Sequence, residues 1–546
     1  MNRETVSTRR IMRVLIAVGA INLVLILPLW WRDGASGSAW LIPELGLVPL
    51  LTLWPAARRS RWLPWALAAL LTFAFAALLG DALVRAVYSR PLNVLLDPWL
   101  LRAGFHLLDG SLGTTAAVLA AVLAALGVVA TAMVMRALIR RTLVPVPKRL
   151  HPPIAAVPLL VVAGVWLAPA DGIVRPALLD LVQTQSEQVR ATVAEREALL
   201  ARARSQRMEA QSIPALAGRD VVVVFVESYG VSALDQPRYA ETLGPLLESA
   251  EARLAESGLG AVSMRMESPI RGGQSWLSHA SVLSGQPIDN DYWYSLLLDS
   301  GQGFLTDDFR LTGHTPLVVA PAIVRPWPEA RSLGFEKIYP AAALEYGGPK
   351  SGWVGIPDQY TLHRYSRHLR REHTGPVFSL LLLISSHAPW SPGPPLVDDW
   401  NRLDRENPWP AWQVPEKDSL AYWRDTDRLR ARYPDSLAYS LEAVFSWAAR
   451  DLPEDALLIV LGDHQAAPLI TGHGAGSDVP VHMISADESL LTRLANSDSG
   501  GAAMSGGLAL PPASSYTPGL ETLRFALRGL QLDQQATGRS HSAALR

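Results

Sequence analysis

The chain has 546 residues, of which 49% are hydrophobic and only 18% are charged, and its formal net charge is −1. This length exceeds one ordinary domain, and the hydrophobic content predicts that part of the chain lies in a membrane. The near-neutral charge argues against a broad basic field, so we expect no nucleic-acid partner. The lack of cysteine excludes disulfides, thiolate metal ligands and a cysteine nucleophile.

Five apolar runs precede residue 170, at about 11–31, 41–55, 62–80, 113–135 and 153–169. A membrane-spanning helix needs about 20 apolar residues. The second and fifth runs are short and would need flanking residues to complete a crossing. We therefore predict a multi-pass helical anchor of about five spans over residues 1–170.

Basic residues accumulate before the first run, between the second and third, and between the fourth and fifth. Such enrichment is typical of cytoplasmic loops. The pattern predicts a cytoplasmic N-terminus, and five crossings then place everything after about residue 170 in the periplasm or outside the cell. The first run lacks a small-residue cleavage site, which favours a permanent anchor in the inner or plasma membrane over a removed signal peptide.

Residues 171–217 follow the anchor and include a stretch without Gly or Pro over 178–211. Leu and Val recur there at three- and four-residue spacings, which indicates an amphipathic helix. We predict a helical linker between the membrane and a soluble domain. A helix that simply packs on the soluble core is an equally open alternative.

Strand-like runs alternate with helical stretches from residue 218 onward. The runs are "VVVVFV", "PLVVAP", "VFSLLLLIS", "ALLIVLG" and "VPVHMIS". Strands as uniformly apolar as these are buried on both faces, which predicts an α/β domain over 218–546 with a mostly parallel central sheet covered by helices. In such sheets, ligands bind at the C-terminal ends of the strands.

Polar side chains follow three of these runs directly: Glu227 after the first, His387 after the third, and Asp463 with His464 after the fourth. Each could be a solvated loop residue, but three such endings at one sheet edge favour a metal site. Oxygen and imidazole ligands suit one divalent cation such as manganese or zinc, whereas magnesium prefers all-oxygen shells and fits less well.

The stretch "IRGGQSWLSHASVLSGQ" offers a nucleophile at Ser275. Gly272 and Gly273 allow a tight turn, and the residues that follow can begin a helix whose N-terminal amides would stabilise an anion. A metal-bound serine is activated because its pKa falls. The alternative, that Ser275 is only a helix cap, stays open on local sequence.

The ordered set of Glu227, Ser275 and the late "GDH" at 462–464 resembles the sulfatase-like branch of the alkaline phosphatase superfamily. Ser275 lies ten residues before Gly285 of an "LSG" tripeptide, as the nucleophile does in that branch. The anchor, linker and extracytoplasmic domain together resemble membrane-anchored lipoteichoic acid synthases and related phosphoglycerol transferases.

That resemblance, carried over position by position, implies that Glu227, Ser275, Asp463 and His464 bind the metal and that Ser275 is also the nucleophile. It implies a substrate-phosphate contact for His387 and a headgroup pocket at Trp327. Arg331 or Arg325 is a looser match to the family's arginine. The remaining predicted substrate-binding residues are His473 and His279.

Three departures from related families restrict the interpretation. The synthases have threonine where this chain has Ser275. Formylglycine needs a C/S-x-P-x-R sequence, and the chain reads Ser-Trp-Leu-Ser-His over 275–279, so we expect no formylglycine. Phosphoethanolamine transferases usually carry disulfides and a Thr-x-Arg motif, and this chain has neither.

The resemblance implies a transferase that moves a phosphoglycerol-type unit from an anionic membrane phospholipid to an extracytoplasmic glycan or lipid acceptor through a phosphoserine intermediate. One alternative is a phosphodiesterase, a phosphatase or a sulfuric ester hydrolase that uses the same site. An alternative of another class is a catalytically silent membrane protein that binds glycans or a partner.

Overall fold

The computed structural model describes the following residues: 3–33, 40–88, 90–145, 148, 151–152, 154–157, 160–161, 174–205, 208–349, 355–390, 393–405, 407–412, 425–496, 503–514 and 516–530. Two compact units divide the chain, Met1–Ala198 and Leu199–Arg546. The first contains the apolar helices and the second contains the sheet.

Three helices of the first unit are long and apolar enough to cross a membrane: Ile11–Asp33, Leu63–Tyr88 and Thr114–Thr142. The first of them begins at Arg3. They correspond to the first, third and fourth apolar runs, so the prediction of a helical multi-pass anchor is confirmed for these runs. The other α-helices of this part are Pro55–Arg59, Trp99–Leu112 and Ala177–Ser205. The last of these lies where the linker helix is predicted.

The second apolar run differs from a full α-helical span. It forms an 11-residue 3₁₀ helix, Pro43–Leu53, with Pro49 inside it. Proline lacks an amide hydrogen and clashes with the preceding turn of an α-helix. At about 2.0 Å per residue, this 3₁₀ helix is about 22 Å long. Of the fifth run, residues 154–157 and 160–161 are helical, and the rest lies outside the described residues.

Contacts between side chains fix the directions of the three long helices. Arg32 bonds Asp81 at 3.1 Å, which joins the C-terminal ends of the first two helices, so they run parallel. The guanidinium of Arg136 lies 4.3 Å from the centre of the Trp65 ring, which joins the end of the third helix to the start of the second. The third helix is therefore antiparallel to the other two.

The second unit is built on one eight-stranded sheet. Its strands are β1 (Val221–Val226), β2 (Gly260–Glu267), β3 (Thr315–Ala320), β4 (Lys337–Pro340), β5 (Val377–Leu382), β6 (Leu457–Gly462), β7 (Asp478–Ser485) and β8 (Met504–Gly506). The order across the sheet is β4-β3-β5-β1-β6-β7-β2-β8. The first five strands in this order are parallel, whereas β7, β2 and β8 pair with their neighbours antiparallel.

Helices cover both faces of this sheet. The α-helices are Ser232–Asp235, Pro237–Glu256, Ser275–Ser284, Asp291–Asp299, Leu305–Leu311, Glu329–Ser332, Asp358–Arg364, Thr426–Asp451, Pro468–Thr471, Glu488–Asn496 and a helix over 522–530. Shorter helical turns occupy Pro214–Leu216, Ala341–Leu344, Tyr365–Leu369, Arg370–Glu372 and Trp400–Asp404. The mostly parallel α/β domain predicted from the sequence is confirmed.

Strand β1 shows why its sequence has no polar residue. Val222, Val224 and Val226 point into one hydrophobic core, and Val221, Val223 and Phe225 point into a second core on the opposite face. All six side chains are buried. Burying a valine or phenylalanine side chain contributes about 1.5–3 kcal/mol relative to exposure. A polar residue would lose this contribution on either face.

The order of the strands brings the candidate site residues to one edge of the sheet. β5, β1 and β6 are adjacent and parallel at the centre of the sheet. Val226 is in register with Gly462, so the chain leaves both strands at the same level. The residues that follow these three strands therefore meet at one edge of the sheet, as expected for ligand sites in such folds.

Candidate metal centre and nucleophile

Glu227, Asp463 and His464 form a buried cluster at this edge. One potential ligand atom from each lies within 4.8 Å of the others. His464 Nε2 is 3.3 Å from Glu227 Oε1 and 3.8 Å from Asp463 Oδ2. The three residues are between 1% and 6% exposed, so bulk water does not separate them.

Ser275 joins this cluster from the start of the helix Ser275–Ser284. Its hydroxyl donates to Glu227 Oε2 at 3.0 Å and lies 3.3 Å from His464 Nε2. The N-cap position belongs to Gln274, which has a left-handed backbone with φ of 71°. Ser275 is thus the first helical residue rather than the cap, and its hydroxyl points towards the carboxylate and imidazole ligands.

The backbone after β1 is held in place by several hydrogen bonds. Asp463 Oδ1 accepts from the amide of Ser228 at 2.8 Å, and the Ser228 hydroxyl donates to Glu227 Oε1 at 3.1 Å. Tyr433 donates its hydroxyl to the carbonyl of Ser228 at 2.8 Å. A side chain at Gly462 would place its Cβ only 1.8 Å from the Tyr229 carbonyl oxygen, so glycine is required for this approach.

The carboxylates and the imidazole perturb one another's pKa values. Burial alone would raise the pKa of Glu227, but hydrogen bonding to His464 and the charge of His387 outweigh burial and lower it. Burial and the charge of Glu227 raise the pKa of Asp463 to about 7. Burial opposes the charged form of His464, but Asp463 and Glu227 overcome it and raise its pKa to about 9.

The donor chemistry of this cluster fits a divalent cation. His464 Nδ1 lies 2.9 Å from the carbonyl of Gln465, and because a carbonyl only accepts, Nδ1 carries the proton. Nε2 then faces Glu227 and Ser275 and is the nitrogen that would bind a metal, as is usual for histidine ligands. Within the described residues, no lysine or arginine forms an ion pair with Glu227 or Asp463. A cation would compensate these two buried negative groups.

Two further histidines lie beside the cluster. His387 is half-buried, and its Nδ1 donates to the carbonyl of Ala388 at 2.6 Å. The preceding residue, Ser386, donates its hydroxyl to the carbonyl of Glu227 at 2.7 Å, so His387 directly follows a residue that contacts the cluster. His279 packs against Phe225 with ring centres 4.4 Å apart. Burial lowers the pKa of His279 to about 3, so it is neutral near pH 7.

The other predicted substrate-binding residues lie elsewhere in the unit. Trp327 is half-buried and packs against the hydrophobic core, while Arg325 and Arg331 are exposed. His473 is exposed in a turn. Within the described part of the chain, Trp327, Arg331 and His473 share no hydrogen bond or ion pair with the four clustered residues. Their roles in substrate binding stay predictions.

The sequence analysis did not identify several residues that shape the site. Ser228, Gln274 and Tyr433 support the cluster. Arg271 donates to Thr471 and to the carbonyls of Gly472 and Ala475, which holds the turn that carries His473. Ser228 could have been found, because it follows Glu227 directly. Tyr433 gives no local signal, since it lies 205 residues from Ser228 in the chain.

No family model matches this sequence, and no curated protein matches it. Several solved structures are similar to part of the chain at low identity. A protein in the alkaline phosphatase superfamily from Vibrio parahaemolyticus is 18% identical and covers 54% of this chain and 69% of its own, with a TM-score of 0.35. The lipoteichoic acid synthase LtaP from Listeria monocytogenes is 11% identical over 58% of this chain and 73% of its own, with a TM-score of 0.36.

The phosphoglycerol transferase GacH from Streptococcus pyogenes, in complex with sn-glycerol-1-phosphate, is 12% identical. It covers 63% of this chain and 92% of its own, with a TM-score of 0.35. These three structures are an alkaline phosphatase superfamily member, a lipoteichoic acid synthase and a phosphoglycerol transferase. At these identities and TM-scores the likenesses assign no family, activity or substrate to this chain.

Proposed function

We propose that this protein is a membrane-anchored, metal-dependent transferase. It moves a phosphoglycerol-type headgroup from an anionic membrane phospholipid to a glycan or lipid acceptor outside the cytoplasm. The observation that carries the proposal is the position of the Ser275 hydroxyl, 3.0 Å from Glu227 and 3.3 Å from His464 at a sheet edge. A serine that only capped a helix would have no need of these neighbours.

The reaction has two displacements. Ser275 Oγ forms a bond to the donor phosphorus and gives up its proton, while the bond from phosphorus to the diacylglycerol oxygen breaks and that oxygen takes up a proton. An acceptor hydroxyl then loses its proton, bonds to phosphorus and releases Ser275 with its proton restored. Two in-line displacements predict overall retention of configuration at phosphorus.

The candidate site residues have different roles in these two displacements. Glu227, Asp463 and His464 would hold one divalent cation, manganese or zinc. When bound, the cation would lower the pKa of the Ser275 hydroxyl and stabilise charge on the phosphoryl group. Glu227 orients the hydroxyl through its hydrogen bond. His387, which follows Ser386 beside Glu227, would bind a phosphoryl oxygen.

The direct test is capture of the intermediate. Purified full-length protein is incubated with phosphatidylglycerol labelled in its headgroup, quenched with acid and digested. We expect glycerophosphoryl on the peptide that contains Ser275, together with released diacylglycerol. The Ser275→Ala variant serves as the matched control and should give neither product.

Three outcomes would count against the proposal. Diacylglycerol release without any adduct at Ser275 would contradict a phosphoserine intermediate. An adduct that water discharges as fast with an acceptor as without one would favour the phosphodiesterase alternative over the transferase. Absence of both products with anionic phospholipids would remove this class of donor.

A further inference from the structure

A polar cavity lies within the anchor unit, at the ends of two apolar helices. It has about 420 Å³ of empty space, counting the part that is open to solvent. Leucine and alanine side chains line its apolar side. Its polar side is lined by Arg32, Arg85, Arg175, Asp81, Asp180, Thr184 and Gln185. Three arginines beside the end of a membrane-spanning helix are costly unless they have a partner or a role.

Because the cavity lies at the ends of two helices that are long and apolar enough to cross a membrane, we expect it at the depth of the lipid headgroups. Arg32 is in the last turn of the first apolar helix, and Arg85 is in the last turn of the second. Trp30 and Trp40 pack with ring centres 4.6 Å apart at the same end. Trp40 is 52% exposed. Such tryptophans are typical of the interface between hydrocarbon and water.

The aspartates around the cavity leave part of the arginine donor capacity unused. Asp81 Oδ2 accepts from Arg32 and Arg85, and its Oδ1 accepts from the amide of Leu92. Arg85 uses only its Nε in this contact, at 2.8 Å. Arg175 uses Nε and Nη1, both at 3.3 Å. Among the described residues, the terminal nitrogens of Arg85 and the Nη2 of Arg175 have no hydrogen-bond partner.

An acceptor lies beside these donors. The side chain of Asp180 is 44% exposed, and among the described residues only Arg175 bonds it, through a long contact of 3.3 Å. Arg32, Arg85 and Arg175 balance Asp33, Asp81 and Asp180 in charge. A fitting ligand therefore has a phosphate for the arginines and a small hydrogen-bond donor for Asp180. Guanidinium groups match phosphate geometry well.

We infer that this cavity binds a phospholipid whose headgroup carries a hydroxyl or ammonium group, such as phosphatidylglycerol or phosphatidylethanolamine. Arg85 and Arg175 hold the phosphodiester, Asp180 accepts from the headgroup, and the acyl chains lie along the apolar helices. The site belongs to the anchor, and its existence does not depend on the proposed catalytic activity.

The test measures lipid binding to the full-length protein in detergent by native mass spectrometry. The probes are phosphatidylglycerol, phosphatidylethanolamine, phosphatidylcholine and soluble glycerol phosphate. Loss of one charge-assisted hydrogen bond should weaken phosphatidylglycerol binding by about tenfold or more in Arg85→Gln and in Arg175→Gln. Arg85→Lys should retain part of the binding because it keeps the charge.

Matched controls separate the site from general electrostatics. Arg59→Gln removes an exposed arginine before the start of the Leu63–Tyr88 helix, far from Arg85, and should bind as the wild type does. Asp180→Asn should keep phosphate binding but reduce the preference for phosphatidylglycerol over phosphatidylcholine. The melting temperature of each lipid-free variant shows whether it is folded.

Three results would overturn the inference. The first is wild-type binding of phosphatidylglycerol by a folded Arg85→Gln, Arg175→Gln double variant. The second is equal binding of phosphatidylcholine, whose headgroup has no hydrogen to donate to Asp180. The third is equally strong binding of soluble glycerol phosphate, which would show that the acyl chains contribute nothing to binding.

Discussion

Ser275 and Ser278 lie on the same helix but in different surroundings. The Ser275 hydroxyl faces Glu227 and His464. Ser278 is fully buried, and its hydroxyl lies 2.9 Å from that of Ser268, which in turn donates to the carbonyl of Asp463. Ser278 is therefore held by a hydrogen bond in the interior, where substrate cannot reach it. The Ser275 hydroxyl lies beside the carboxylate and imidazole that could bind a metal.

We predict that Ser275→Ala abolishes the covalent intermediate and lowers turnover by several orders of magnitude, with little change in melting temperature. Ser278→Ala should keep turnover and lose about 1 kcal/mol of stability, because it removes one buried hydrogen bond. Ser275→Thr keeps a hydroxyl and should stay active. Turnover above a few per cent of wild type in Ser275→Ala would show that the nucleophile lies elsewhere.

We also predict that the purified protein contains one divalent cation that depends on the buried cluster. Glu227→Gln and Asp463→Asn should each lower the metal content measured by elemental analysis, since each removes a charged ligand. Asp358→Asn is the matched control, because Asp358 is equally buried but bonds Ser440 and two backbone amides. Equal metal content in wild type and in the Asp463→Asn variant would exclude this site.

The sequence predicts the site residues better than it predicts what supports them. Glu227, Asp463 and His464 stand directly after apolar runs, so strand ends can be recognised locally. The adjacency of β5, β1 and β6 has no local signal, because strand order is decided by tertiary packing. The same is true of Tyr433, which reaches the site from a helix on one face of the sheet.

At the scale of elements, a buried ion cluster joins three helices. Asp308, on the helix Leu305–Leu311, accepts from Arg524 at 2.8 Å and from Arg528 at 2.7 Å, both on the helix over 522–530. Arg524 also donates to the carbonyl of Ser284, at the end of the helix that begins with Ser275. The cluster thus fixes the far end of the helix that begins with Ser275.

This cluster predicts a pH dependence of stability. Burial raises the pKa of Asp308, but the bonds from Arg524 and Arg528 outweigh burial and lower it. A lowered pKa in the folded state stabilises the protein above the unfolded pKa of about 3.9, and this contribution is lost as pH falls towards the folded value. Asp308→Asn should cost about 3–5 kcal/mol near pH 7 because it leaves buried arginines uncompensated.

The measurement is the free energy of unfolding of the second unit, Leu199–Arg546, within the full-length protein from pH 7 to pH 3. The difference between wild type and Asp308→Asn should shrink below about pH 4. Glu336→Gln, which breaks the exposed pair with Arg310, is the control and should change stability by less than about 1 kcal/mol. A difference that does not depend on pH would mean that the ion pairs contribute little.

The hydrophobic pattern of the sequence failed to predict strands that mix polar with apolar residues or that are very short. β2 contains Ser263, Arg265 and Glu267 among its apolar residues, because β7 and β8 flank it antiparallel and its face is only partly buried. β8 has three residues, too few for any period. In the anchor, Pro49 turns a predicted membrane span into a 3₁₀ helix. The structure of these segments depends on how deeply each face is buried and on the missing amide hydrogen of proline, and hydrophobicity alone does not predict it.

At the scale of the whole molecule, the charges differ between the two ends of the anchor helices. At one end, the arginines are paired with aspartates, as Arg32 and Arg85 are with Asp81. At the other end, Arg58 and Arg59 lie before the second long helix, and Arg140 and Arg141 lie at the end of the third. Few acidic residues lie near these arginines in the sequence. An excess of basic residues is typical of cytoplasmic loops, so this end of the helices is expected on the cytoplasmic side.

This asymmetry predicts opposite locations for two positions that are close in sequence. A reporter that is active only outside the cytoplasm should be silent when fused after Arg141 and active when fused after Arg175. The physical reason is that Arg136 contacts the start of the second helix, whereas Arg175 bonds Asp33 at the end of the first. The chain therefore passes from one end of the anchor to the other between these two fusion points. Equal reporter activity at both would contradict this path, and activity only after Arg141 would reverse the orientation and place Ser275 on the cytoplasmic side.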